Sequence, residues 1–176
     1  GLVGSEMCIR DRGKTVAFVG DGYNMCHSYI NASTQWDFKL RIACPDAHQP
    51  SSDILSSGKN AERVASASEA VADADLVVTD VWSSMGHDGE EAARRKTFEP
   101  YQVNEALLDL AKPEVLFMHC LPAHRGEEVS ATLLDDRRSV VWMKPEIDFT
   151  AKKRWLSFCY WARLRPEPTL GARRGA

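Results

Sequence analysis

VLFMHCLPAHRGEEV, residues 115–129, decides the fold. Val115 to Met118 is apolar at every position. A run of this kind is buried on both faces, as strands of a parallel sheet are. It stops at His119, Cys120, Leu121 and Pro122, and a charged stretch follows. Working outward, the same kind of run recurs at Lys14 to Val19 (KTVAFV), Leu40 to Cys44 (LRIAC), Leu76 to Thr79 (LVVT) and Ser139 to Trp142 (SVVW), with a short one at Arg63 to Ala65. Helical patterns lie between them, at Cys26 to Ser33, Ser68 to Ala72, Glu90 to Lys96 and Val103 to Ala111. Alternation of this sort predicts an α/β fold: a three-layer, Rossmann-like parallel sheet with right-handed crossovers. In such sheets ligands bind beyond the carboxyl ends of the strands. Four tips therefore carry weight: Gly20 to Asn24, Cys44 to Asp46, Asp80 to Gly86, and His119 to Pro122.

Composition narrows the function classes. A chain of 176 residues, 44% of them hydrophobic and 27% charged, is long enough for one well-cored domain. A net charge of −3, with no basic stripe outside the tail, gives no footprint for nucleic acid. No apolar run approaches the roughly 18 residues that span a bilayer. GLVGSEMCIRDR at the start is neither basic nor apolar enough for a signal peptide. The five cysteines (Cys8, Cys26, Cys44, Cys120, Cys159) are scattered, odd in number and without CxxC spacing. They read as reduced thiols of a cytoplasmic protein, not as a disulfide framework or a zinc site.

Each tip has a chemical reading and a bland one. GDGYNM follows a strand and opens a helix, as a dinucleotide fingerprint would. It lacks the third spaced glycine, and Cys44-Pro45 stands where an acidic ribose contact belongs. The bland reading is two glycines easing a tight turn. Asn24 can cap the helix or hold a ligand carboxylate beside its N-terminus. In TDVWSSMG, Asp80 can hold an ammonium group, while Ser84 and the backbone N–H groups after it can hold a carboxylate. Together they suit an amino-acid zwitterion; the alternative is an Asx-type turn. In HCLP, neighbouring strand side chains point to opposite faces, so His119 and Cys120 cannot share a metal without a kink. A thiol nucleophile needs a base and a favoured thiolate, and no sequence feature supplies either. A buried, inert Cys120 is the plainer reading. His124 and Arg125 fall in the turn beyond and are expected to be solvated.

Taken together, VAFVGDGYNMCHSYINAS, LRIACP, TDVWSSMG, YQVN and HCLPAHRGEEV, in this order and spacing, resemble the ornithine carbamoyltransferases over about Gly13 to Trp142. HCLP, with its Cys, is closer to the ornithine enzymes than to the aspartate enzymes, and SMG separates the chain from putrescine-type relatives. The resemblance implies the ornithine-binding domain, with Asn24, Asp80, Ser84 and Met85 on the amino-acid end of ornithine. It implies Cys120 and Leu121 at the junction with carbamoyl phosphate. Cys120 is then the catalytic contact, a polar partner of the attacking amine and not a covalent nucleophile. The implied reaction is attack of the neutral δ-amine of ornithine on the carbamoyl carbon, with phosphate leaving and citrulline formed. No metal or organic cofactor is implied, and the parent enzyme would be a homotrimer. One departure stands out: Tyr23 occupies the first Asn position of the family's GDGNN. A non-catalytic amino-acid-binding module on the same fold is the competing reading.

The two ends depart further. The family's Ser-Thr-Arg-Thr and His-Pro-x-Gln runs, which grip carbamoyl phosphate, do not occur in this chain. Residues 1–12 read as a non-native leader. Residues 143–176 read as out of frame. One added G after the Trp142 codon, with third bases chosen freely, turns residues 143–161 into DEAGNRFHGEKALAELLLL, the family's DEA-NR-H--KAL pattern. The alternative is a divergent native tail with Lys152 to Tyr160 as an amphipathic helix. Residues 13–142 are then the ornithine-binding α/β domain, expected to be inactive alone.

Overall fold

A computed structural model describes residues 13–82 and 91–142. The expected leader, Ser83 to Gly86 of TDVWSSMG, and the tail from residue 143 lie outside the described residues. Five strands form one parallel sheet: β1 (Thr15–Val19), β2 (Lys39–Ala43), β3 (Ala61–Arg63), β4 (Leu76–Thr79) and β5 (Leu116–His119), in the order β3-β2-β1-β4-β5. The expected parallel α/β sheet is the one observed. Strand order reverses between β1 and β4, so the crevice at their carboxyl ends is the natural ligand site.

The helices are α1 (Asn24–Trp36), α2 (Ser52–Ser57), α3 (Ala67–Val71), α4 (Glu91–Phe98) and α5 (Glu105–Leu108). In α1 the buried Cys26, Tyr29, Ile30 and Ser33 recur at helical spacing and form one stripe. That stripe faces the side of the sheet carrying Phe18, whose ring centroid lies 6.0 Å from that of Tyr29. The other side carries Ala17, Val19, Val77 and Phe117, which cluster with Ala67, Ala70 and Val71 of α3 and Leu108 of α5. Helices on both faces explain why β1 is buried at all five positions. Short helices need local help to start. Ser66 accepts the Glu69 N–H at 3.2 Å while Glu69 reaches back to the Ala65 N–H at 2.9 Å. This is the reciprocal logic of a capping box.

The structure corrects three expectations. SVVW is not a strand: Ser139 makes a single parallel bridge to Phe117. The cause is local. Arg138 folds back on Asp136 at 2.9 Å and Ser139 donates its N–H to the Asp136 carbonyl at 2.9 Å, so the segment is a turn with no room for a ladder. The third strand is Ala61–Arg63 instead of residues 63–65, a short and largely exposed edge. The helix expected over 103–111 contracts to Glu105–Leu108, because Asn104 caps it by accepting the Leu107 N–H at 2.8 Å. Val103 is drawn off to bridge Val129.

Candidate functional site

Thr79 and His119 are partners in the β4–β5 register. The residues that follow them, Asp80 and Cys120, therefore leave the sheet side by side. The Cys120 thiol donates to Asp80 Oδ1 at 2.7 Å, and the same oxygen accepts the Val81 N–H at 2.8 Å. Asp80 thus shapes the turn through the Val81 N–H and leaves its carboxylate at the strand tip. Cys120 is a half-buried thiol, so it is not the fully buried cysteine of the plainer reading. Leu121 is exposed at 39%. It lines, with Pro122, Leu134 and Trp142, an open hollow of about 780 Å³ beside the tip.

The turn after β1 is built differently from a dinucleotide cradle. Gly20 takes a φ of 135°, which only glycine adopts freely. At Gly22 a Cβ would lie 2.5 Å from the His48 carbonyl oxygen and 2.5 Å from the Pro50 nitrogen. The close approach that glycine permits is thus taken by the chain's own backbone, where a pyrophosphate would otherwise rest. Asn24 is the first residue of α1 and is exposed. It is not the cap: Tyr23 holds that position and no side chain caps the helix. Tyr23 is 61% exposed and meets His27 edge-on, with ring centroids 5.6 Å apart. The departure from GDGNN therefore places a ring on the surface.

Of the expected site residues, Asp80 and Cys120 come into direct contact, and Leu121 borders them. Asn24 stands at the end of β1, the strand next to β4. Ser84 and Met85 lie outside the described residues. Alternation along a strand spoke against a shared metal at HCLP. Instead, ligand atoms of Asp80, His119 and Cys120 all lie within 4.8 Å of one another. The pleat ends at His119, so alternation stops applying there. Both ring nitrogens of His119 already face oxygen acceptors, Nδ1 the Cys120 carbonyl and Nε2 the Glu128 carboxylate.

Sequence reasoning missed two residues. Arg94 of α4 donates to the Trp82 carbonyl at 2.8 Å through Nε, pairs with Asp21, and lies 5.2 Å from the centroid of the Phe98 ring. It ties the loop after β1 to the loop after β4. Glu128 is a fully buried acid. Neither stands out in EEAARRK or RGEEV, where every charge looks alike. The quoted runs YQVN and HCLPAHRGEEV do converge: Val103 donates its N–H to the Glu128 carbonyl at 2.9 Å and accepts from the Ser130 N–H at 3.0 Å. Both turn residues expected in solvent are exposed, and Arg125 also pairs with Asp135 at 2.8 Å.

Residues 12–159 match the family model described as aspartate/ornithine carbamoyltransferase, Asp/Orn binding domain. The chain belongs to the aspartate/ornithine carbamoyltransferase family. Among carbamoyltransferases, it is 55% identical over 148 residues to the ornithine carbamoyltransferase of Pseudomonas syringae pv. tomato, covering 84% of this chain and 48% of that protein. It is 56% identical over 146 residues to an anabolic ornithine carbamoyltransferase of Pseudomonas aeruginosa, covering 82% of this chain and 48% of the relative. The solved ornithine carbamoyltransferase from Pyrococcus furiosus superposes with a TM-score of 0.70 at 39% identity, over 88% of this chain and 51% of that one. The enzyme from Burkholderia thailandensis gives a TM-score of 0.67 at 35% identity, over 87% and 46%. The chain spans about half the length of the curated relatives it matches, 48% of each of the two named above.

Proposed function

We propose that this chain is the ornithine-binding half of an ornithine carbamoyltransferase, which converts carbamoyl phosphate and L-ornithine to L-citrulline and phosphate. One observation carries the reading: the Asp80 carboxylate and the Cys120 thiol meet at 2.7 Å on the tips of adjacent parallel strands. A carboxylate and a thiol at one point suit a substrate with two amines: the carboxylate holds the charged α-ammonium, and the sulfur stands beside the δ-amine that must react neutral. In the reaction the δ-nitrogen forms a bond to the carbamoyl carbon, the carbon–oxygen bond to phosphate breaks, phosphate leaves with that electron pair, and the amine gives up a proton. Catalysis of this step rests on orientation and charge stabilisation. Asn24, Asp80, Ser84 and Met85 bind the amino-acid end, and Cys120 and Leu121 face carbamoyl phosphate. The runs that would grip carbamoyl phosphate lie outside this stretch, so we read it as binding without turnover. A homotrimeric parent and a cytoplasmic setting follow from the resemblance and the scattered thiols. Among the described residues, no helix is long and apolar enough to cross a membrane.

Calorimetric titration tests this. L-ornithine binds the chain saturably, NAD does not, and no citrulline forms when carbamoyl phosphate is added. Asp80→Asn weakens ornithine binding at least about tenfold, or ~1.4 kcal/mol. Failure of the folded chain to bind ornithine overturns the reading.

A further inference from the structure

The reaction tip stands on a buried polar pair. The side chains of His119 and Glu128 are both 0% exposed, and Nε2 of His119 lies 3.0 Å from Oε1 of Glu128. The same oxygen accepts the His124 N–H at 2.5 Å. One carboxylate oxygen thus joins the first and last residues of HCLPAH, residues 119–124, and closes that loop on itself. Glu128 is held in turn by the Val103 N–H on its carbonyl, while Gln102 Nε2 donates to the neighbouring Glu127 carbonyl at 2.8 Å.

An acid at this depth is a poor choice for packing. Burial of a charged group is costly unless it is fully hydrogen-bonded, and apolar residues of similar size stabilise as well or better. Oε2 of Glu128 is buried with no partner among the described residues. The acid is therefore explained by what it holds. We propose that Glu128 is a positioning residue of the site, whose carboxylate fixes the HCLPAH loop so that the Cys120 thiol meets Asp80 and Leu121 faces outward. This rests on the reading of Cys120 and Leu121 as substrate-facing groups, and its test needs no ornithine, so the two fail separately.

The test is the rate of Cys120 alkylation by iodoacetamide across about pH 6 to 9, read peptide by peptide by mass spectrometry. Alkylation needs the thiolate. In the closed loop that thiolate would sit against the Asp80 carboxylate and be opposed by like charge. Cys26 and Cys44 are buried and report on the fold. Burial first, and then the adjoining Cys44, push the Cys26 thiol well above its ordinary pKa, so it stays unreactive while the core is intact. Glu128→Ala removes both acceptor contacts. Glu128→Asp keeps the charge but is short by one methylene. Glu128→Gln keeps an oxygen at the Oε1 position.

The expected result is that the Ala and Asp variants alkylate at Cys120 about tenfold faster, with the pH profile displaced to lower pH, as release from one charged neighbour implies. The Gln variant stays within about twofold of the parent chain, and Cys26 and Cys44 remain protected throughout. Three results would overturn the proposal: an Ala variant that reacts as the parent does, a Gln variant as fast as the Asp variant, or Cys26 and Cys44 opening together with Cys120. Should the Ala variant not fold, the Gln and Asp variants decide, because they separate geometry from charge.

Discussion

Asp75 sits at the end of the sheet opposite the Asp80–Cys120 tip. Its carboxylate accepts from Lys14 Nζ at 2.8 Å, Lys112 Nζ at 2.8 Å and the Thr15 N–H at 2.9 Å. Burial alone would raise its pKa; the hydrogen bonds from Lys112, Lys14 and the Thr15 amide outweigh that and hold the carboxyl below its usual range. A depressed carboxylate stabilises the fold above the unfolded value, about 4, and the contribution is lost as pH falls through the folded value. Asp75→Asn should therefore be less stable than the parent by about 1–2 kcal/mol at neutral pH. Urea melts at pH 7 and in acid check this: the gap should close in acid, and a gap that persists there refutes the assignment. At the same scale, Asp80 and Cys120 were legible as individual residues, because each ends an apolar run. Their contact was not, since 40 residues separate them and only the β4–β5 register brings them together. Arg94 and Glu128 were not legible at all. Burial of a charge is set by distant strands and leaves no mark on its neighbours in sequence.

At the scale of elements, β1, β4 and β5 were readable because nearly every residue in them is apolar, and β2 because Leu40, Ile42 and Ala43 form an apolar run broken only by Arg41. β3 and the turn at 138–140 were not, because edge segments carry no such burden. Helix α2 escaped notice for a related reason: SDILSS buries no residue fully, and it starts on a cap, Ser51, which accepts the Ile54 N–H at 3.4 Å. The loop ending at α2 crosses the turn after β1 at Gly22, where the Gly22 N–H donates to the His48 carbonyl at 2.9 Å. Two of the three obstacles to a side chain there are backbone atoms and the third is the Pro50 ring carbon Cδ, so no rotamer change relieves them. Gly22→Ala should shift the denaturant midpoint down by the equivalent of about 1–3 kcal/mol, the usual range for overpacking. An unchanged midpoint would mean that the two loops separate freely.

For the whole molecule, sheet order sets the ranking of local stability. β1 lies between β2 and β4, and all five of its residues are buried, whereas β3 has two of three exposed. Hydrogen exchange should be slowest at Val16 to Val19 and fastest at Ala61 to Arg63, because opening costs least where few apolar contacts are lost. Exchange at β1 as fast as at β3 would contradict the central place of β1. The same strand order has a consequence for synthesis. β1 is made first, yet one of its flanks is sealed only by β4; Thr15 and Asp75, which meet across that seam, are 60 residues apart. At about 5–20 residues per second on the ribosome, TVAFV waits roughly 3–12 seconds with one edge unsheltered. The most protected strand of the finished protein is thus the one most open to misassociation while the chain is being born.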